Sequence, residues 1–206
     1  MSFSKNLASV AFALGLIPFL AGATEISRPD IVEPSDFREN RVSLSYETAA
    51  FFDVGNKNNY LIAPQIATVG WQLDPVGNTG WFRGNTEFLF SAFFNPVLNG
   101  PENRFVGAAF GPRYHFVQPG SRWIPYIESR VGFCFTDSGT VPGAQGQDFC
   151  FTFLVGAGVR YLIDEHWQIS GGALYQHISN GGLSEPAREN NGLDAIGPNL
   201  GLHYAF

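Results

Sequence analysis

Lysine is scarce in this chain, and so is sequence that favours helices. Lysine occurs only at Lys5 and Lys57, and the 206 residues carry a formal net charge of −6. An acidic chain with so little lysine is a poor candidate for nucleic-acid binding. Stretches rich in Leu, Ala, Glu and Lys are few, whereas 20 Phe and 24 Gly favour strands and turns.

Apolar runs long enough for a membrane-spanning helix are lacking too. The run Leu7–Leu20 is shorter than the ~20 residues that a spanning helix needs. It follows Lys5 and precedes the small residues Ala21-Gly22-Ala23, which is the pattern of a secretory signal peptide cleaved after Ala23. An N-terminal membrane anchor is the alternative. Residues 24–40 are predicted to be an irregular lead-in, followed by one domain over 41–206.

Cysteine is limited to Cys134 and Cys150. In an exported protein two cysteines favour a disulfide over a metal site, and two buried thiols are the alternative. His115, His166 and His203 lack the spacing of metal ligands. We therefore expect neither a metal nor another cofactor.

What the chain has in abundance is alternation of apolar and polar residues. From Phe149 the odd positions read Phe, Phe, Phe, Val, Ala, Val, Tyr, and the even positions carry small, polar or charged residues. So long an apolar face opposite a polar one is typical of strands in a transmembrane barrel. Eight strands separated by turn signals are predicted, at about 41–54, 59–72, 83–97, 103–117, 122–137, 147–162, 165–179 and 192–206.

These features favour an all-β fold, an eight-stranded antiparallel transmembrane β-barrel with periplasmic termini. A soluble β-sandwich is the alternative, because it would also bury an apolar face. Aromatic residues near the strand ends favour the barrel, as does the final strand ending at Phe206, which resembles the assembly signal of bacterial outer-membrane barrels. Five charged residues are predicted to face the interior and balance one another: Glu47, Arg113, Glu128, Arg130 and Arg160.

Strand parity also places polar residues where lipid-facing residues are expected. His177 and Ser179 continue the apolar face of the seventh strand, and Asp194 begins that of the eighth. Polar side chains facing lipid are costly and are often functional, although ordinary polar residues at the barrel rim are the alternative. The residue types fit a triad with Ser179 as nucleophile, His177 as base and Asp194 as acid. Glu185 and Glu189 remain alternative acids.

The segments "HISNGGL" and "ENNGLDAIG" resemble the C-terminal signature of the outer-membrane lipid A 3-O-deacylase (PagL) family. The resemblance implies an eight-stranded barrel with the triad on its exterior. It carries the roles of base, nucleophile and acid to His177, Ser179 and Asp194. It carries oxyanion assistance to three further residues: Asn180, Gly182 and Asn190.

The implied reaction is hydrolysis of an ester-linked 3-hydroxyacyl chain of lipid A in the outer leaflet, without a cofactor and without nucleic acid. Two other readings stay open: a non-enzymatic structural or adhesive barrel, and an esterase acting on phospholipids. A homodimer is also left open.

Overall fold

Residues 37–55 and 58–206 are described by the structure, a computed structural model. The predicted signal peptide, residues 24–36 of the lead-in, and Lys57 lie outside the described residues. The described part contains a 3₁₀ turn at Gly80–Phe82, and it contains no helix that is long and apolar enough to cross a membrane. Its strands are β1 Val42–Ala49, β2 Phe51–Asp53, β3 Leu61–Ile62, β4 Gln65–Gln72, β5 Gly84–Asn99, β6 Arg104–Phe116, β7 Trp123–Thr136, β8 Phe149–Leu162, β9 Trp167–Ser179 and β10 Leu193–Ala205.

These strands form eight antiparallel barrel strands. The first consists of β1 and β2 end to end, and the second of β3 and β4. Pro64 lies between β3 and β4 and has no N–H to donate, so the ladder is interrupted there. The register is nevertheless the same on both sides of the interruption, with Thr48 opposite Gln65 and Phe51 opposite Ile62.

The barrel is closed by pairing of the first and last strands. β1 pairs with β4 on one side and with β10 on the other, in a ladder that runs from Ser43 opposite Ala205 to Ala49 opposite Asn199. The predicted eight-stranded antiparallel barrel is confirmed, and every predicted strand boundary lies within two residues of the observed one. Closure leaves no unpaired sheet edge, as a β-sheet in lipid requires.

The two ends of the barrel carry different loops. Segments 54–55, 58–60, 100–103, 137–148 and 180–192 lie at one end, which we call the outer end. The first strand begins and the last strand ends at the opposite, inner end, which faces the periplasm in this architecture. One inner connection, 73–83, is longer than the expected short turn. It contains the 3₁₀ turn and an isolated bridge between Gly77 and Gly84.

The barrel interior contains a neutral group of charged side chains beside a cluster of buried apolar ones. The five predicted charged residues are all buried, and Glu87, which was not among them, is buried with them. Arg113 contacts Glu47 at 2.8 Å and Glu128 at 2.5 Å, and Arg160 contacts Glu87 at 3.2 Å. Glu87 brings the charges to three carboxylates and three guanidinium groups. Each charge therefore has a partner, which a charge withdrawn from water requires.

The exterior is apolar, with aromatic residues grouped near both ends. Trp71, Trp123 and Trp167 all lie at the inner ends of their strands, and their side chains are exposed. At the outer end Phe133, Phe135, Phe149 and Phe151 form contacting pairs on β7 and β8. This distribution matches the predicted aromatic girdles at the two membrane interfaces.

The cysteines face each other across neighbouring strands. Cys134 on β7 is directly opposite Cys150 on β8, and both side chains are buried in the interior. Both are free thiols in the structure. The disulfide between them stays a prediction.

Candidate active site

The site forms where β9 ends and β10 begins, at the outer end of the barrel. One face of β9 carries Tyr175, His177 and Ser179, because residues two apart in a strand point to the same side. Asp194 is directly opposite His177 in the β9–β10 ladder. The antiparallel register therefore brings together a histidine and an acid that are 17 positions apart in the chain.

His177 and Asp194 form a direct hydrogen-bonded pair. Nδ1 of His177 lies 2.8 Å from Oδ1 of Asp194, and the two side chains are 40% and 39% exposed. Because an ionised carboxylate only accepts hydrogen bonds, His177 donates from Nδ1. The neutral imidazole then keeps its lone pair on Nε2, where a general base needs it.

Ser179 lies beside the imidazole on the same face. A Cβ added to Gly192 would be 3.5 Å from Cβ of Ser179 and 3.6 Å from Cε1 of His177. Both side chains therefore border the space above Gly192, which stays open because glycine has no side chain. Within residues 37–55 and 58–206, the Ser179 hydroxyl makes no hydrogen bond, so the bond from Oγ to Nε2 is not formed in this conformation. Such contacts often tighten only when substrate binds.

Asn180, Gly182 and Asn190 are brought together in one hydrogen-bonded turn after Ser179. The N–H of Gly182 donates to Oδ1 of Asn180 at 2.8 Å, and the N–H of Asn180 donates to Oδ1 of Asn190 at 3.3 Å. Gly181 and Gly182 have φ values of +66° and +78°, a conformation that glycine adopts without strain. In this conformation the N–H groups of Asn180 and Gly182 already have acceptors. Their catalytic role stays a prediction.

The surroundings of the site are apolar. β8 places Phe153 opposite His177 and Phe151 opposite Ser179. On the other side of Tyr175, β10 places the exposed side chain of Ile196. The polar groups therefore lie at the outer edge of an apolar surface that hydrocarbon chains can contact.

Comparison with known proteins identifies a family for this chain. The family model described as "Lipid A 3-O-deacylase (PagL)" matches residues 65–203, which is more than half of the chain. The chain belongs to the PagL family. All six predicted catalytic and oxyanion residues lie inside the matched region. Membership of this family agrees with the outer-membrane location expected from the strand pattern.

Solved structures show the same architecture. The crystal structure of the outer membrane enzyme PagL matches with a TM-score of 0.53 and 19% identity, over 77% of this chain and 97% of that one. Neisserial surface protein A (NspA) matches with a TM-score of 0.51 and 14% identity, over 81% of this chain and 96% of that one. At these identities the two likenesses show the barrel fold alone. No curated protein sequence matches the chain.

The structure adds two features to the site of this PagL family member that the sequence did not reveal. One is Tyr175, whose hydroxyl donates to Oδ1 of Asp194, the same oxygen that His177 contacts. Tyr175 lies two residues before His177 and so shares its side of the strand, but nothing in the sequence indicates its partner. Asp194 is the carboxylate that contacts the imidazole, whereas Glu185 and Glu189 belong to the 180–192 loop.

The other feature is a hydrogen-bonded chain across the outer end of the barrel. Nδ2 of Asn180 donates to the carbonyl oxygen of Gln145 at 2.5 Å, and the N–H of Gln145 donates to Oε1 of Glu102 at 3.1 Å. Tyr60 donates from its hydroxyl to Oε2 of the same carboxylate at 2.5 Å. Burial raises the pKa of Glu102. The residue after Ser179 is therefore held by contacts that begin on the far side of the barrel.

A serine and a histidine are hydrogen-bonded inside the barrel. Oγ of Ser170 is 2.8 Å from Nε2 of His203, and both residues are buried. His203 thus lies on the interior face of β10. Because both side chains are buried in the interior, the pair serves as an internal comparison for the exterior site.

Proposed function

We propose that this member of the PagL family is an outer-membrane serine esterase that removes the ester-linked 3-hydroxyacyl chain at the 3-O position of lipid A. The observation that carries the proposal is the contact between His177 Nδ1 and Asp194 Oδ1 on the outward face, with Ser179 beside the same imidazole. A histidine oriented by a carboxylate and next to a serine is the arrangement that activates a hydroxyl nucleophile.

In the proposed mechanism, Nε2 of His177 takes the proton of Ser179 as Oγ attacks the ester carbonyl carbon. Asp194 stabilises the imidazolium that forms. Collapse of the tetrahedral intermediate breaks the bond to the sugar oxygen, which receives the proton from His177. Water then attacks the acyl-serine by the same route and releases the 3-hydroxy fatty acid.

The negative charge of the tetrahedral intermediate needs preorganised donors. We assign oxyanion assistance to Asn180, Gly182 and Asn190. The bond from the Asn180 N–H to Oδ1 of Asn190 is the longer of the two in the turn, at 3.3 Å, and is the one we expect the substrate oxygen to replace. The buried side chain of Asn180 meanwhile keeps the turn in place through Gln145 and Ser184.

The position of the site suits a substrate that stays in the membrane. Lipid A belongs to the outer leaflet, and the site lies at the outer end with apolar residues on β8 and β10 around it. An acyl chain can lie against this surface while its ester reaches Ser179. Polar groups at such an edge cost less than polar groups at the bilayer centre.

The proposal is tested by mass spectrometry of lipid A from cells that express the wild-type chain or the variant Ser179→Ala. We expect the wild type to produce lipid A that lacks one 3-hydroxyacyl chain, and the variant to leave lipid A intact while still forming a heat-modifiable barrel. Ser170→Ala is the matched control, since it removes the serine of the interior Ser–His contact, and it should deacylate normally.

Three outcomes would contradict the proposal. Deacylation that persists in Ser179→Ala would show that another residue is the nucleophile. Unaltered lipid A in wild-type cells would favour a non-enzymatic barrel. Release of fatty acids from phospholipids with lipid A intact would show a different substrate, so both lipid classes are measured in the same extract.

A further inference from the structure

Asp194 shares one carboxylate oxygen between two donors. Oδ1 accepts a hydrogen bond from His177 Nδ1 at 2.8 Å and a second from the hydroxyl of Tyr175. Tyr175 lies two residues before His177 on the same face of β9, and in the ladder it is opposite Ile196 rather than Asp194. The contact is therefore diagonal across the two strands, within the reach of a long aromatic side chain.

Two effects follow from this second donor. An ionised carboxylate near lipid lacks the hydration that it would have in water, and each hydrogen bond to the charged form stabilises it. The tyrosine also restricts rotation of the Asp194 side chain, because Oδ1 is held from two directions. Both effects keep the carboxylate charged and in line with Nδ1 of His177.

We infer that Tyr175 is a positioning residue of the active site, which holds Asp194 ionised and aimed at His177. The inference rests on the proposed function, because it assigns Tyr175 a part in the same triad. Tyr175 acts through Asp194 and touches no reacting atom. Its contribution should therefore appear in the chemical step, where the imidazolium forms, and not in binding of the lipid.

A tyrosine near the outer end of a barrel also fits a simpler role as an aromatic residue at the membrane interface, and that role would depend on its ring. The variant Tyr175→Phe separates the two roles, since it keeps the ring and removes only the hydroxyl. Tyr204→Phe is the matched control, because Tyr204 lies on the neighbouring strand β10 at the inner end, opposite Trp167.

The experiment measures kcat and KM for deacylation of purified lipid A in detergent micelles by the wild type and both tyrosine variants. The folded fraction of each protein is determined by heat-modifiable migration, so that kcat refers to folded barrel. For Tyr175→Phe we expect kcat to fall about tenfold, the size of one lost hydrogen bond to a charged group, with KM within about twofold. Tyr204→Phe should match the wild type in both constants.

A double-mutant cycle then tests whether Tyr175 acts through Asp194. In an Asp194→Ala background, followed over long incubations, Tyr175→Phe should have no further effect on kcat. An equal tenfold loss in that background would overturn the inference. So would a kcat for Tyr175→Phe within twofold of the wild type, or a change confined to KM.

The proposed function fails separately from this inference. A wild-type enzyme that does not deacylate lipid A under any of these conditions overturns the function. An active wild type with a fully active Tyr175→Phe overturns only the role of Tyr175.

Discussion

Replacing Asp194 by Asn tests the electrostatic part of the site. The substitution keeps the shape of the side chain and removes the charge 2.8 Å from Nδ1 of His177. Two opposite unit charges about 4 Å apart interact by roughly 4 kcal/mol at an effective dielectric constant near 20. Both side chains are about 40% exposed, so solvent screening reduces this to about 2 kcal/mol.

That energy is gained only when the imidazolium forms, and it therefore stabilises the transition state rather than bound lipid. About 2 kcal/mol corresponds to a roughly thirtyfold lower kcat. An Asn side chain that donates to Nδ1 would also place the imidazole proton on Nε2, which raises the loss towards 10⁴-fold. We expect kcat to fall between these limits while KM stays within about twofold.

The assay is the initial rate of 3-hydroxy fatty acid release from purified lipid A, with the folded fraction of each variant determined by heat-modifiable migration. Asp164→Asn is the control. Asp164 is an inner-end acid whose Oδ1 accepts from the backbone N–H groups of His166 and Trp167, and an Asn can replace it as acceptor. The reasoning is refuted if Asp194→Asn keeps a kcat within twofold of the wild type, or if it loses no more than the control.

Two further predictions concern the barrel interior and its outer end. Glu87→Gln leaves Arg160 without its carboxylate partner at 3.2 Å, and breaking a buried pair costs about 3–5 kcal/mol. The urea midpoint of the heat-modifiable band should therefore fall clearly, whereas the exposed Glu165→Gln leaves it unchanged; equal midpoints would contradict the account. Glu102→Ala removes the acceptor of the Gln145 N–H and should lower kcat about threefold to tenfold in the deacylation assay without unfolding the barrel. An unchanged kcat would show that the contacts across the outer end do not hold the Ser179–Asn180 turn.

The strands were predictable because the period of two is strong over most of the chain. In β8, for example, the exterior side chains of Phe151, Phe153 and Val155 alternate with interior Thr152 and Leu154. The interruption at Pro64 was not predicted, because a proline at one position of a strand leaves the apolar pattern on either side intact.

The interior charge balance was only partly predictable. Glu87 was missed because its strand contains adjacent phenylalanines. Phe93 is buried and Phe94 is exposed, so the apolar residues of β5 do not mark one face. The five charged residues that were predicted lie in strands where the alternation is cleaner.

For the site, the sequence indicated which face of its strand each residue lies on, but it did not indicate which side chains touch across neighbouring strands. Parity placed His177, Ser179 and Asp194 on one face, but the distance between His177 and Asp194 depends on the register of β9 against β10. The diagonal contact of Tyr175 and the bond from Asn180 to Gln145 depend on side-chain reach between segments distant in sequence, for which a single sequence contains no signal.

The identity of the nucleophile is the central claim, and chemical labelling tests it most directly. The folded wild type is treated with a fluorophosphonate, which reacts with activated serines, and the modified peptide is identified by mass spectrometry. The account predicts one adduct, on Ser179, and its loss in His177→Ala, while the buried Ser170 stays unmodified. An adduct on another serine, or an active enzyme whose Ser179 remains unlabelled, would contradict the account.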